Sequence, residues 1–570
     1  MVRIFNAYRR EYQSQQTLLI LSGEAERQLN GRLQEISVSA LTNRHRQHSR
    51  IFSLLHNAGQ QQRRILRHQK PEQQSIVKYS GRKHRTICAV HRAASMLLAS
   101  LATCLPHADA RAQPVVHDYT VTIDYSMTNL WVEARFRHPV ESVTARSRDA
   151  GKFLVDVRGC DSTSNIRLRN RRMLLPEDGI TCLNYTVDLG RAAKENRQNR
   201  TLSAQNIVVS PSIWLWRPEL AGSTELHLQF RLPEGTSVSV PWQPVDSEEH
   251  RFLLRDSPES SNAPAAFGSF DYRELAVPGS TLRVALLRSE QEKDAAGIFD
   301  WVRATATDVS LAYGRFPSPM PQVLIIPVGN SRERSSGAVP FGQVIRDGGE
   351  TVLLYINETE PQSAFLEDWT ATHEFSHLLL PYIDRRHKWI SEGFAQYYQN
   401  ILLARSGAYE EQHAWQKIYD GLERGRLSRP ELSPNEAAEG GVRTGLMKIY
   451  WSGAAIALIA DVGLRELSGG RESLDTVLEQ LQTCCLPSDH VWSGPELFAQ
   501  MDALTDFPVF LSLYRRYADT AGFPDTADVL ERLGVQVSDG KVKVRKNDIR
   551  LAITAPDAEA SRHREKLAAN

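Results

Sequence analysis

The 570-residue chain has almost no net charge and few cysteines. Lys+Arg 68 against Asp+Glu 67 leaves a formal balance of +1, which removes any general electrostatic case for nucleic acid. None of the six cysteines forms a Cys-x-x-Cys pair, which argues against a thiolate zinc site or thioredoxin-like chemistry. The uncharged, mostly apolar run Ala93–Leu105 has 13 residues, short of the about 20 that span a bilayer. No repeat period stands out in the strand-rich part of the chain. What is present is ordinary for globular proteins: 41% hydrophobic and 24% charged residues exclude a wholly disordered or fibrous chain. The length calls for two or three domains.

The near-zero charge conceals an asymmetry. Residues 1–112 carry 18 Lys/Arg and 6 Asp/Glu, so a basic leader precedes an acidic body. Within it, Lys78, Arg82, Lys83, Arg85 and Arg92 precede the Ala93–Leu105 run. Ala108-Asp109-Ala110 and Ala110-Arg111-Ala112 follow as small-x-small cleavage sites. This is the pattern of a signal peptide over 77–112. Residues 1–76, rich in Gln, Arg and His, read as a non-native upstream extension or a disordered segment, with translation expected to start near Val77–Val90. The mature chain is expected in the periplasm or outside the cell, without a membrane span. Lipid anchoring at Cys104 is disfavoured, because Thr103 is atypical before a lipoprotein cysteine. Export leaves Cys160, Cys182, Cys484 and Cys485. An even count suits disulfides, and Cys160 and Cys182 could bridge.

From 113 to 287 the pattern alternates in segments such as YTVTIDYS, LWVEARFRH and LHLQFRLP. Closely spaced turns between them predict an antiparallel, sandwich-like module. From 288 to 485 the reading is α+β: a helix near Glu290–Tyr313, apolar strands PQVLIIPV and TVLLYIN, then helices. Residues 486–570 read as a helical region and tail, with a hairpin expected in KVKVRKNDIRLAITA.

His373-Glu374-Phe375-Ser376-His377 carries the chemistry. Positions i and i+4 share a helix face, so both imidazoles can reach one ion, and a helix over Leu366–Leu380 would end at Pro381. Catalytic zinc takes three protein ligands and keeps one position for water. Fifteen residues past His377, Glu392 opens a new helical segment that could lie beside the histidines. His373, His377 and Glu392 are the expected metal ligands, for one zinc ion per chain.

HEFSH followed by WISEGFAQYY resembles the gluzincin metallopeptidases. YWSGAAIALIADVGLRELSGGRESLDTVL, from Tyr450 to Leu478, favours the glycyl aminopeptidase family within them, with the aminopeptidase N family more distant. The resemblance implies a multidomain chain: a β-rich N-terminal module, a thermolysin-like α+β gluzincin catalytic domain and a helical C-terminal region. It implies Glu374 as general base and Tyr450 as oxyanion donor, with peptides as substrates. Tyr397 and Tyr398 are expected to pack, with a role behind the site left open.

Three departures bear on specificity. The strand that should carry an amine-binding carboxylate, in a G-G-L-E-H-like stretch, reads as Gly337-Ala338-Val339-Pro340-Phe341, with Pro340 at the acidic position and Glu350 nearby. Ser452 stands where the family has Lys. No PDZ-like segment is expected after Cys485. The expectation is therefore an exported zinc metallopeptidase, aminopeptidase-like. An endopeptidase of the same fold and a non-hydrolytic, zinc-stabilised peptide-binding module remain as alternatives.

Overall fold

Alternating side chains build the N-terminal module. In Val115–Ile123, residues His117, Tyr119, Val121 and Ile123 turn inward, and in Thr224–Arg231, Thr224, Leu226, Leu228 and Phe230 do the same. The computed structural model describes residues 115–568, apart from 161–165, 196–199, 204–205, 219–223, 247–248, 256–261, 289–294, 329–336, 347, 442–444 and 489. The expected signal peptide and upstream extension lie outside the described residues.

Seven strands form one sheet in the order Gln243–Asp246, Arg251–Arg255, Thr224–Arg231, Val115–Ile123, Asn129–Val140, Ile180–Asp188, Leu154–Gly159. A four-stranded sheet shares its core: Ser237–Ser239, Ala265–Gly268, Asn206–Val209, Arg200–Ser203. Buried Trp214, Trp216 and Trp242 fill the space between. Burying tyrosine requires partners for its hydroxyl. Tyr119 donates to the Trp216 carbonyl at 3.0 Å, and Tyr185 accepts from the Trp216 amide at 3.2 Å. One pairing departs from the antiparallel expectation: Val115–Ile123 runs parallel to Thr224–Arg231. Parallel neighbours need a long crossover, and here the module's own intervening strands supply it. Cys160 and Cys182 are bridged, as are Cys484 and Cys485.

A second core begins earlier than the sequence reading placed it. Phe270–Val277 and Ser280–Leu287, assigned by alternation to the first module, belong to a five-stranded sheet. Its order is Phe270–Val277, Ser280–Leu287, Gln322–Pro327, Thr351–Ile356, Phe341–Ile345. Alternation marks a strand but not the sheet it joins. Helix Ala295–Ser310 lies between Ser280–Leu287 and its parallel neighbour Gln322–Pro327. Phe341–Ile345 is antiparallel to Thr351–Ile356 and forms the sheet's edge.

The helices that follow pack on this sheet in one apolar cluster. The central one is Leu446–Ser468. Among the described residues it is the one helix long and apolar enough to cross a membrane, and most of it is buried within the protein. A helix apolar on all sides is expected at the centre of a large core.

The C-terminal region ends in more than helices. The hairpin pairs Val535–Ser538 with Lys541–Val544 through Asp539-Gly540, both at positive φ. Asp-Gly is a strong two-residue hairpin signal. The expected hairpin is therefore shifted upstream. NDIRLAIT instead forms a helix over Asp548–Thr554, capped by Asn547 accepting from the Arg550 amide at 2.9 Å.

Candidate metal centre

The expected motif helix is shorter than its sequence pattern. Gln362–Glu367 is a separate short helix, and the motif helix proper is Thr370–Ser376, continued by a tight turn over His377–Leu379. Asp368 makes the break. Its Oδ1 accepts from the Thr370 amide at 2.7 Å, and its Oδ2 accepts from the Val339 amide at 3.2 Å. A side chain that bonds nearby backbone competes with helix continuation. The i, i+4 relation survives, with the His373 and His377 rings 4.8 Å apart.

Glu392 comes from helix Lys388–Arg405, which packs beside the motif helix. Its Oε2 lies 3.5 Å from Nε2 of both His373 and His377. A tetrahedral ion about 2.0–2.1 Å from each ligand would separate ligand atoms by roughly 3.4 Å. The remaining ring nitrogens are occupied: His373 Nδ1 meets Gln399 Oε1 at 3.2 Å, and His377 Nδ1 meets Ser391 Oγ at 3.0 Å. Such contacts orient imidazoles so that Nε2 presents its lone pair.

Glu392 Oε2 is buried and has no hydrogen-bond partner, whereas Oε1 takes the Lys388 ammonium at 2.8 Å. Burial alone would raise the Glu392 pKa, but Lys388 and the imidazoles hold it well below the usual carboxylate range. Two imidazole nitrogens facing an orphaned carboxylate oxygen form a donor set that fits zinc.

Glu374 is buried beside the triad, and desolvation pushes its pKa up to about 7. It accepts a hydrogen bond from the Val344 backbone. Gly342 makes room for it, since a Cβ there would lie 2.3 Å from Glu374 Cγ. Tyr450, on helix Leu446–Ser468, stacks on the His373 ring at 5.7 Å between centroids, and Trp369 meets that ring edge-on. The structure thus brings together all five site residues expected from the sequence: His373, Glu374, His377, Glu392 and Tyr450.

Other expectations change. The strand beside Glu374 is Phe341–Ile345, so Gly337–Pro340 lies before it. Gly342 lies against Glu374, and the strand from it onward reads Gly342-Gln343-Val344-Ile345-Arg346, with no carboxylate among these residues. Glu350 lies in a neighbouring cavity and accepts from the Ser318 hydroxyl. Ser452 is fully buried. Tyr397 and Tyr398 are core residues whose hydroxyls donate to Asp461 and Asp475, each at 2.8 Å. Sequence reasoning missed Ser391 and Gln399. Gln399 lies seven residues after Glu392, which is a same-face helical spacing that could have revealed it.

Residues 382–439, which include Glu392, match the M61 glycyl aminopeptidase family model. Among solved structures, an aminopeptidase N family protein from Idiomarina loihiensis aligns with a TM-score of 0.56 and 15% identity, covering 74% of this chain and 79% of that one. An M1 zinc metallopeptidase from Deinococcus radiodurans gives a TM-score of 0.43 and 14% identity, covering 72% and 94%. No curated protein matches the sequence. The class defined by site and family match is that of the peptidase hydrolases. Within it, the chain resembles the glycyl aminopeptidases and, more distantly, the aminopeptidase N proteins.

Proposed function

We propose that this chain is an exported zinc metallopeptidase with a thermolysin-like gluzincin catalytic domain. The observation that carries the reading is the buried Glu392 Oε2, left without a hydrogen-bond partner between two imidazole nitrogens. His373, His377 and Glu392 would hold one zinc ion, whose chemistry is to polarise a carbonyl and acidify water. Glu374, desolvated and braced by the edge strand, takes the proton of the attacking water and returns it to the leaving amine. Tyr450 donates to the oxygen charge that develops as the carbonyl is attacked. The edge strand Phe341–Ile345 offers backbone groups to an extended peptide by strand addition. Export is supported by the leader pattern at 77–112 and by two disulfides in the mature chain.

Glu374→Gln, made in protein starting at Gln113, tests the reading. Turnover of a mixed peptide library should fall to background while metal analysis still finds one zinc per chain. Wild-type rates in that variant would overturn the mechanism. The strand beside Glu374, Phe341–Ile345, carries no carboxylate, which favours a second reading, an endopeptidase or a peptidase of blocked N-termini. Under that reading, an N-acetylated peptide is cleaved as well as its free counterpart. Under the aminopeptidase reading, only the free peptide is cleaved.

A further inference from the structure

A cavity of about 560 Å³ lies where three parts of the chain meet: strands of the N-terminal module, the end of the edge strand, and the loop after Cys485. Its volume lies in the range of small-ligand sites. It is linked to the metal centre through Arg346, which follows the edge strand, lines the cavity and donates to the His377 main-chain carbonyl. Pro381 and Tyr382, just beyond the motif helix, form another part of its wall.

Its charge is unbalanced. Among the described residues, Arg255, Arg283 and Arg346 line it, with one carboxylate, Glu350. Arg255 is an outer residue paired with Glu225 at 3.0 Å. Arg283 is only 3% exposed, and its guanidinium is held by the Trp242 carbonyl at 2.7 Å and the Met320 carbonyl at 3.4 Å. Nε of Arg283 and Nε of Arg346 are both buried without a hydrogen-bond partner. Among the described residues, neither arginine forms an ion pair. Arginine is rarely buried unless paired, and the guanidinium fork matches a carboxylate.

We propose, building on the peptidase reading, that this cavity is a substrate subsite for a carboxylate of the peptide. The carboxylate is either an acidic side chain or the C-terminus. Arg346 is the specificity-determining residue, with Arg283 beneath it. A peptide laid along Phe341–Ile345 meets Arg346 one residue past the end of that strand. This chain thus recognises negative charge in its substrate.

The test is binding to the zinc-loaded Glu374→Gln protein, measured by calorimetry. The probes are neutral peptides in which one Glu is walked along the sequence, each with its Gln counterpart, and one pair with free or amidated C-terminus. A carboxylate at one position, or at the terminus, should bind about tenfold more tightly than its amide, as expected for a charge-assisted hydrogen bond. The responding pair identifies which carboxylate is read. Arg346→Gln should abolish that discrimination and Arg346→Lys should keep part of it, with circular dichroism confirming that both variants fold. Equal binding of every acid and amide pair overturns the subsite, whether or not the Arg346 variants fold. Discrimination with no cleavage by the wild type leaves the subsite standing and sinks the peptidase. Cleavage without discrimination does the reverse, and neither binding nor cleavage overturns both.

Discussion

Glu392 divides its two oxygens between tasks: Oε1 takes the Lys388 ammonium, and Oε2 faces the imidazoles. A carboxylate held ionised in this way is ready to bind a cation without first losing a proton. The imidazoles depend in turn on Gln399 and Ser391, which engage their Nδ1 atoms. Removing such an orienting partner typically costs 10–100-fold in metal affinity, and Gln399→Leu should fall in that range. Competition against a chromophoric chelator would measure it. An affinity equal to wild type would show that packing alone sets the ring of His373.

At the level of elements, Glu392 and Tyr450 are positioned by one close helix crossing. Helix Lys388–Arg405 meets helix Leu446–Ser468 at Gly393 and Gly453. A Cβ on Gly453 would lie 2.0 Å from the Trp389 carbonyl oxygen, and one on Gly393 would lie 2.2 Å from Gly453 Cα. Glu392 is adjacent to Gly393, and Tyr450 is one turn before Gly453. The glycines of EGFA and SGAA therefore bring the ligand and the donor to the same face of the site. Gly453→Ala should separate the helices, lower stability by about 1–3 kcal/mol and reduce kcat/KM by roughly a hundredfold. Thermal melts and initial rates read the two effects. A fully active variant would show that the crossing does not set the geometry.

The same pair of helices is tied to Leu474–Cys485 by a buried ionic network. Asp461 receives Tyr397 and Arg465, while Asp475 receives Tyr398, Arg405 and Arg465. Asp475, the last residue of GGRESLD, is therefore structural and holds the platform rather than the reaction. Asp475→Ala leaves Arg405 and Arg465 short of a counter-charge and should cost about 3–5 kcal/mol in a denaturant titration. A loss below about 1 kcal/mol would mean that water reaches the network.

For the whole molecule, the metal centre sits beside a core large enough to stand without it. That core runs from the five-stranded sheet through helix Leu446–Ser468 to the C-terminal hairpin. Chelation should therefore remove activity and lower Tm while leaving the far-ultraviolet circular dichroism unchanged. Ligand linkage gives about 4 kcal/mol at a thousandfold excess of zinc over its dissociation constant. Zinc should restore both. Collapse of the spectrum on chelation would favour the zinc-stabilised binding module over the enzyme.

The sequence by itself determined what depends on near neighbours. Two histidines four residues apart share a helix face whatever surrounds them, and Glu392 follows within one turn of a predicted helix. Alternation likewise marked the strands, and Asp539-Gly540 was there to place the hairpin. The tertiary structure decided what depends on contacts between distant segments. Only it shows that 270–287 joins the second sheet, that Val115–Ile123 lies parallel to Thr224–Arg231, and that Gly342 rather than Gly337 stands against Glu374. Only it brings Arg283 and Arg346 to one cavity, where among the described residues neither forms an ion pair. Helical spacing is a property of the local backbone. Sheet order, strand register and the pairing of buried charges are set by which surfaces the whole chain can bury together.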